Sequence, residues 1–235
     1  MENTQPIIEL ELYIIRHGES LGNAGYGGRT DLTLKEAVDP VLSEKGLAQA
    51  VAAGEFYAKT KFDAVYSSPL LRATQTAAQI IKKQHESMPH YILPDICEVG
   101  IPDEYKGVEI DKLREISSTA IYADGVDPSE TRMRYDKHET PDLLFERTKF
   151  VIDYFRNRYS DGEKIAVVSH AAFITNLVLY VMGLDKEKPC FDIDFYNTGV
   201  TRLIFYKPGT NKWGDTVFGC INDTSHFVYL NNKSE

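Results

Sequence analysis

The sequence predicts an α/β fold, a three-layer α/β/α sandwich around a mostly parallel central sheet. Short apolar runs rich in β-forming residues alternate along the chain with segments whose apolar residues recur at helical spacing. Strands that alternate with helices favour a sheet covered by helices on both faces. The 235 residues, 43% of them hydrophobic and 26% charged, are ample for a large buried core.

The first half of the chain predicts two strands, each followed by a helix. Leu10–Ile15 is the first apolar run, and the glycine-rich stretch after it indicates a loop. Ser43 precedes a helical pattern and is suited to cap it. The second strand is Phe62–Tyr66. Ser68 and Pro69 then indicate a helix start, because serine caps helices and proline favours the first helical position.

The second half of the chain repeats this alternation. Thr140 and Pro141 indicate another helix start, and the apolar strand Lys164–Val168 leads directly into a helix at Ala171–Met182. Four further short runs have strand-like composition: Tyr91–Leu93, Phe191–Tyr196, Val200–Tyr206 and Phe227–Leu230.

One segment interrupts the alternation. Residues from about Val99 to Glu139 have no regular period and are rich in charge, glycine and proline. We interpret residues 99–139 as an irregular, cap-like insertion, so that residues 1–235 form a single domain. Substrate selectivity is expected to lie in this insertion and in the loop Gly22–Asp39.

Composition and charge exclude several classes of partner. The 26 basic and 35 acidic residues give a net charge of −9, which argues against a nucleic-acid or membrane-surface binder. The longest apolar stretch, Ala171–Leu184, is shorter than the roughly 20 residues of a membrane span. The acidic N-terminal segment does not resemble a signal peptide. No metal-ligand spacing such as HExxH occurs, so no metal is expected.

The chain has three cysteines, Cys97, Cys190 and Cys220, which are far apart and form no paired motif. Scattered thiols of this kind favour a reducing compartment, so we expect a cytoplasmic location.

Three polar clusters follow predicted strands at their carboxyl ends. Arg16 and His17 follow the first strand, Ser67 and Ser68 through Arg72 follow the second, and Ser169 and His170 follow a third. Ligands of open α/β sheets bind outside the carboxyl ends of the strands, so we expect these side chains to converge. Arginine binds phosphate oxygens through paired N–H donors, and the helices that begin nearby add backbone donors. The clusters therefore predict a pocket for a tetrahedral anion.

The motifs around these residues resemble those of the histidine phosphatase superfamily, which includes the cofactor-dependent phosphoglycerate mutases. They are LYIIRHGESLGN at 12–23, VYSSPLLRATQTA at 65–77, ICEVG at 96–100 and AVVSHAAFI at 166–174. The resemblance spans roughly residues 10–206. It implies a phosphoglycerate mutase-like fold and an enzyme that transfers a phosphoryl group through a phosphohistidine.

The resemblance implies a role for each matching residue. His17 would be the nucleophile, while Arg16, Arg72 and His170 would hold the phosphoryl oxygens. Elementary electrostatics agrees, because nearby arginine charges disfavour the imidazolium and keep a nucleophilic histidine in its base form.

Three acids compete for the role of proton donor. The resemblance assigns it to Glu98, but the residues that follow match the family pattern only loosely, so Glu104 and Glu109 remain rivals. The resemblance also implies phosphate contacts from Asn23 and from the backbone N–H of Ala171.

Three functions stay open: a phosphatase for small phosphomonoesters, a phosphoglycerate mutase, and a non-catalytic protein that binds a phosphate ligand or acts as a scaffold. The segment Asn197–Thr201 resembles the family's phosphatases, and the tryptophan-containing stretch that follows RHGES in the mutases is missing, since the only tryptophan is Trp213. These two features favour the phosphatase. One basic stretch could instead bind the carboxylate of a phosphoglycerate: Arg132, Arg134, Lys137 and His138.

The expected partner is a small phosphorylated substrate whose identity the sequence does not give. No cofactor is expected, except a bisphosphoglycerate primer if the protein is a mutase. The oligomeric state stays open, with a homodimer as one option.

Overall fold

The computed structural model describes residues 5–84, 88–127, 138–184 and 193–231. Within these residues seven strands form one sheet: β1 Ile8–Arg16, β2 Ala64–Ser67, β3 His90–Ile92, β4 Ala120–Tyr122, β5 Glu163–Ser169, β6 Val200–Tyr206 and β7 Thr216–Asp223. Their order across the sheet is β4-β3-β2-β5-β1-β6-β7. The pairs from β4 to β1 are parallel, whereas β1–β6 and β6–β7 are antiparallel. The mostly parallel sheet is therefore confirmed.

Helices cover both faces of this sheet. The described residues contain α1 Leu34–Val38, α2 Glu44–Phe56, α3 Leu71–Ile81, α4 Ile110–Ile116, α5 Pro141–Arg158, α6 Ala171–Val181 and α7 Val228–Asn231. Leu12 of β1 belongs to a buried cluster with Phe155 of α5 and Phe173 of α6. Ile15 of β1 points to the other face and joins a cluster with Ala77 of α3. The three-layer architecture is confirmed.

Two predicted strands are wrong. Phe227–Leu230 lies in a 3-10 turn, Ser225–Phe227, followed by α7. Its aromatic residues pack on a helix instead of a sheet edge, with the rings of Phe56 and Tyr229 6.1 Å apart. Of the predicted strand Phe191–Tyr196, residues 191–192 lie outside the described ranges and residues 193–196 form no strand. Their backbone groups bond to side chains instead of a neighbouring strand.

The insertion contains more regular structure than its composition indicates. Helix α4 and the three-residue strand β4 lie within residues 99–127, and β4 pairs with β3 at the edge of the sheet. The edge strand β7, which pairs only with β6, was not predicted from the sequence, because Gly219 interrupts its apolar residues and glycine is disfavoured in strands. No helix among residues 5–84, 88–127, 138–184 and 193–231 is long and apolar enough to cross a bilayer.

The start of α3 differs from the sequence prediction by two residues. Leu70, not Ser68, is the N-cap, and the helix begins at Leu71. The Ser68 hydroxyl is engaged elsewhere, because its Oγ lies 2.6 Å from Nε2 of His170. This difference matters for the site, because the Ser68 side chain forms a hydrogen bond with a histidine instead of serving as the N-cap.

Candidate active site

The candidate site lies where β1, β2 and β5 end. Arg16 at the end of β1 pairs with Ser169 at the end of β5, and Ser67 at the end of β2 pairs with Val168. The N–H of His17 then donates to the Ser169 carbonyl at 3.0 Å. Parallel pairing thus brings the residues that follow the three strands to one edge of the sheet.

His17 is at the centre of this edge and is 3% exposed. Its Nδ1 lies 2.7 Å from the carbonyl oxygen of Gly18, and its Nε2 lies 3.2 Å from Nε of Arg72. A carbonyl oxygen only accepts and a guanidinium only donates, so these partners assign the proton to Nδ1 and a lone pair to Nε2. The unprotonated nitrogen of His17 therefore faces a positive charge.

His170 packs beside His17, with ring centroids 5.0 Å apart. Nε2 of His170 lies 2.6 Å from Oγ of Ser68, and that same Oγ accepts the N–H of Leu70 at 3.3 Å. We assign the Ser68 hydroxyl as the donor to Nε2, which puts the ring proton of His170 on Nδ1. Nδ1 is buried and has no hydrogen-bond partner within the described part of the chain. It is a donor available to a bound anion.

Arg16 brings the first guanidinium to the site. Its Nη1 donates to the carbonyl of Phe195, while its buried Nε has no partner among the described residues. Burial lowers the pKa of Arg16, and the nearby charges of Glu98 and Asp194 raise it. An N–H donor of Arg16 is thus also available to an anion.

Arg72 brings the second guanidinium, from the first turn of α3. Besides its contact with His17, its Nη1 donates to the carbonyl of Val38 at 3.3 Å and lies 3.8 Å from Oδ1 of Asp39. Arg72 is 7% exposed, so it is held in place on the inside of the fold.

The charge distribution around the histidines favours their neutral forms. Burial, and then the charge of Arg72, lower the pKa of His17 well below 6.5. The same two causes lower the pKa of His170. Both imidazoles are therefore neutral near pH 7, while two arginines supply positive charge. This arrangement can bind an anion and attack it with an unprotonated nitrogen.

Two helices hold the loop that follows His17. The N–H of Gly18 donates to Oγ1 of Thr76 in α3 at 3.0 Å, and the N–H of Glu19 donates to Oε1 of Gln49 in α2 at 2.9 Å. A Cβ on Gly46 would lie 1.9 Å from the carbonyl oxygen of Glu19, so only glycine allows α2 this close. The sequence EKGLAQ thus positions the loop by packing.

Of the three candidate acids, Glu98 is the one near the pocket. It is half-buried, its Oε1 accepts the N–H of Val99 at 2.9 Å, and its charge acts on Arg16. Glu104 and Glu109 are exposed on the insertion, where Glu109 is the N-cap of α4. The geometry favours Glu98 over both rivals as the acid beside the anion site.

Asn23 and Ala171 have different positions relative to His17. The Oδ1 of exposed Asn23 accepts from the N–H and the hydroxyl of Ser20, both at 3.1 Å, and from Nδ2 of Asn197 at 3.3 Å. The same Nδ2 donates to the His17 carbonyl at 3.1 Å, so Asn23 is joined to the loop of His17. Ala171 is the first residue of α6, and its N–H is one of that helix's terminal donors.

Three further residues contact the side chains of the candidate site, and the sequence did not predict these contacts. The sequence places Ser68 at a helix start and in the polar cluster after the second strand, and Asn197 in the segment Asn197–Thr201, but it indicates no contact of either with a histidine of the site. Asp39 carries no local signal, because its contact with Arg72 depends on how a distant loop folds back. The strand-end position of Ser68 is the one signal that could have identified it.

Some predicted residues cannot be placed. Arg132, Arg134, Lys137 and Cys190 lie outside the described residues, whereas His138 is described and exposed. In the part of the chain that the structure describes, no three or more His, Cys, Asp or Glu side chains are grouped so that they could hold a metal ion.

Comparison with known proteins gives matches over most of the chain. A family model, the histidine phosphatase superfamily (branch 1), matches residues 12–216. The chain is 28% identical over 222 residues to a 5''-phosphoribostamycin phosphatase from Niallia circulans, covering 92% of this chain and 98% of the relative. It is 36% identical over 122 residues, 51% of this chain, to the fructose-2,6-bisphosphatase TIGAR of Xenopus laevis.

The chain spans only part of some relatives. It covers 41% of the Xenopus phosphatase and 66% of each of two Arabidopsis thaliana phosphoglycerate mutases, to which it is 24% identical. Among solved structures, a phosphoglycerate mutase from Bacillus anthracis str. Sterne superposes with a TM-score of 0.62 at 20% identity, over 98% of this chain and 100% of that one. This last likeness concerns the fold alone. The family match over residues 12–216, together with the fold, shows that the chain belongs to the histidine phosphatase superfamily.

Proposed function

We propose that this protein is a phosphatase that hydrolyses small phosphomonoesters through a phosphohistidine at His17. One observation carries the proposal: Nε2 of His17, the nitrogen that its partners assign as unprotonated, is buried and lies 3.2 Å from Nε of Arg72. A phosphoryl group attracted by the arginines would meet this nitrogen directly. The Niallia and Xenopus relatives are both named as phosphatases, which supports the same reaction class.

In the first step Nε2 of His17 attacks phosphorus, and the bond to the leaving oxygen breaks. Glu98 enters this step protonated, the form that an adjacent phosphate dianion favours over the carboxylate, and donates its proton to that oxygen, so the alcohol leaves neutral. Arg16, Arg72 and Nδ1–H of His170 stabilise the three equatorial oxygens, where charge is largest in phosphoryl transfer.

In the second step water attacks the phosphohistidine and releases inorganic phosphate. Glu98, now a carboxylate, accepts the proton of the water and regains its starting state. His17 returns to its neutral form, for which the buried, positively charged surroundings are suited.

We further propose that the reaction needs no metal and no cofactor. Two guanidiniums already oppose the charge of the phosphoryl group, and the nucleophile is a side chain and not a metal-bound water. The substrate is proposed to be a small ester met in a cytoplasmic setting, with selectivity in the insertion and in the loop Gly22–Asp39.

Phosphoglycerate mutase is the second candidate. The match to the two Arabidopsis mutases favours it, and the basic stretch that includes His138 could bind a substrate carboxylate. In that case the phosphoryl group would return to a phosphoglycerate, and a bisphosphoglycerate would be needed as primer.

The test compares wild type with His17→Ala on an aryl phosphate. We expect at least about a 10³-fold loss of turnover with a near-normal melting temperature, since the nucleophile is removed. His90→Gln is the control, because His90 is a buried histidine that bonds to Ser67 and not to the pocket. Full activity in His17→Ala refutes the nucleophile, and an inactive but folded wild type favours the non-catalytic scaffold.

A second assay separates phosphatase from mutase. The protein is incubated with 3-phosphoglycerate and a bisphosphoglycerate primer, and both 2-phosphoglycerate and free phosphate are measured. Phosphate without isomer supports the phosphatase. Isomer without phosphate release overturns it in favour of the mutase.

A further inference from the structure

A buried carboxylate, Asp39, lies behind the phosphoryl pocket. It is 2% exposed, and every near partner is a donor. Its Oδ1 accepts the N–H of Leu71 at 2.7 Å, and its Oδ2 accepts the hydroxyl of Tyr105 at 2.6 Å. Two positive charges also act on this carboxylate, those of Arg72 and of Lys35, which lies four residues before Asp39. Donors on both oxygens favour the ionised form, against the effect of burial, which raises the pKa of Asp39.

Asp39 restrains Arg72 in two ways. Its Oδ1 lies 3.8 Å from Nη1 of Arg72, which also donates to the carbonyl of Val38 at 3.3 Å. It also accepts the first backbone N–H of α3, the helix that begins at Leu71 and carries Arg72 in its first turn. Leu70, the N-cap, has no polar side chain, so the cap is supplied by Asp39 from another segment.

Tyr105 connects this carboxylate to the insertion. It is 7% exposed and packs with Leu70, Cys97 and Ile101 next to the candidate acid Glu98. Because its hydroxyl reaches Asp39, the packing of the insertion and the placement of Arg72 share one buried hydrogen bond.

We propose that Asp39 is a positioning residue that fixes the guanidinium of Arg72 against His17, and that Tyr105 ties this positioning to the packing of the insertion. The inference deepens the proposed function, because it takes the binding of a phosphoryl group by Arg72 as its premise. It assigns to the insertion a part in holding the phosphoryl pocket in addition to its expected part in selectivity.

Asp39→Asn tests the positioning role. Asparagine keeps the volume and an oxygen that can accept the Leu71 N–H, so the helix cap is retained while the charge is lost. Loss of the negative charge by itself would tighten binding of an anion and lower the pKa of His17 further. Loss of the orientation of Arg72 would do the opposite to both. The two effects therefore differ in sign.

Two measurements that do not depend on turnover read out the effect. Calorimetry gives the dissociation constant for inorganic phosphate, and NMR titration gives the pKa of His17. We expect phosphate affinity to fall about tenfold, as for one lost charge-assisted hydrogen bond, and the pKa of His17 to rise towards 6.5. Unchanged or tighter phosphate binding, with the pKa of His17 unchanged or lower, overturns the proposal.

Tyr105→Phe tests the link to the insertion, and serves also if Asp39→Asn does not fold. It removes only the hydroxyl, so we expect a smaller loss of phosphate affinity, about threefold, in the same direction. Tyr159→Phe is the matched control, since the Tyr159 hydroxyl lies 2.9 Å from the Tyr66 hydroxyl, on the face of the sheet that α5 covers. Wild-type phosphate affinity in Tyr105→Phe overturns the link.

These outcomes are distinguishable from failure of the proposed function. If wild type does not hydrolyse an aryl phosphate, the phosphatase proposal fails. The phosphate affinity and the titration of His17 in Asp39→Asn still decide whether Asp39 positions Arg72.

Discussion

The close packing of α2 against the loop of His17 predicts a large effect of Gly46→Ala. A Cβ on Gly46 would lie 1.9 Å from the carbonyl oxygen of Glu19 and 2.7 Å from its backbone N and C. These atoms belong to the main chain two residues beyond His17, so they cannot rotate away as the end of a side chain could. Gly18 makes the reciprocal contact, since a Cβ there would lie 2.5 Å from the carbonyl oxygen of Gly46.

The steric effect of Gly46→Ala outweighs its gain in helix propensity. Favourable non-bonded contacts begin near 3.5 Å, so α2 and the loop must separate by roughly 1.5 Å. Overpacking of this kind costs about 1–3 kcal/mol, whereas alanine improves helix propensity by at most about 1 kcal/mol. Because the contact of 1.9 Å is with main-chain atoms, the cost lies at the upper end of its range, and we expect a net loss of about 2 kcal/mol, which lowers the melting temperature of a chain of this size by about 4–8 °C.

The same shift reaches the nucleophile. The carbonyl of Gly18 accepts from Nδ1 of His17 at 2.7 Å, and a misplacement of about 1 Å at a reacting group can lower turnover about 10²-fold. Gly54→Ala is the control in the same helix, because its Cβ would lie 2.6 Å from the carbonyl oxygen of Gln79 in α3. It should lose stability but keep turnover per folded molecule.

The assay for both variants combines thermal unfolding with aryl phosphate turnover at a temperature where each is folded. Wild-type turnover in Gly46→Ala, or an equal loss of turnover in Gly54→Ala, would refute the idea that this contact positions His17.

Three further predictions concern the bond between Ser68 and His170, two buried histidines, and the proposal that no metal is needed. Ser68→Ala removes the hydrogen-bond partner of Nε2 of His170 and should lower kcat about tenfold. Ser67→Ala is the control and should leave kcat unchanged, because the Ser67 hydroxyl bonds to His90. Equal kcat values for the two variants would contradict this prediction. Burial lowers the pKa of His90 to about 3 and of His226 to about 4, so both stay neutral when folded. As the pH falls below 6.5, the unfolded chain binds more protons than the folded chain, and the free energy of unfolding should drop by up to about 1.4 kcal/mol per pH unit for each histidine. Urea unfolding at two pH values measures this slope. A free energy of unfolding that does not change with pH would contradict the prediction. EDTA should leave turnover unchanged, and recovery of lost turnover by a divalent cation argues against a metal-free site.

The central strands and the convergence of the site were predictable because their signals are local. The apolar runs Leu10–Ile15 and Lys164–Val168 lie inside β1 and β5, with only the ends differing. Once these strands are parallel neighbours, the residues after them must meet at one edge. The proximity of His17 and His170 follows directly from that rule.

The remaining features depend on contacts that no short window contains. β7 is an edge strand with one partner whose apolar residues are interrupted by Gly219, and β4 is three residues long. Phe227 and its neighbours have strand-like composition but pack on α2. The pair Ser68-Pro69 predicts a helix cap because that signal is local, whereas the partner of Ser68, His170, is 102 residues away in the sequence.

The net charge of −9 is compatible with a phosphate pocket because the decisive interactions are short-ranged. At about 0.1 M salt, exposed charges more than roughly 10 Å apart are largely screened, so carboxylates elsewhere on the surface contribute little in the pocket. Within it, Arg16 and Arg72 are partly or fully desolvated, and both histidines are neutral. The buried charge of Asp39 then has a double effect. It offsets part of the repulsion that Arg72 would otherwise meet from Arg16, and it holds the guanidinium where a phosphoryl group would need it.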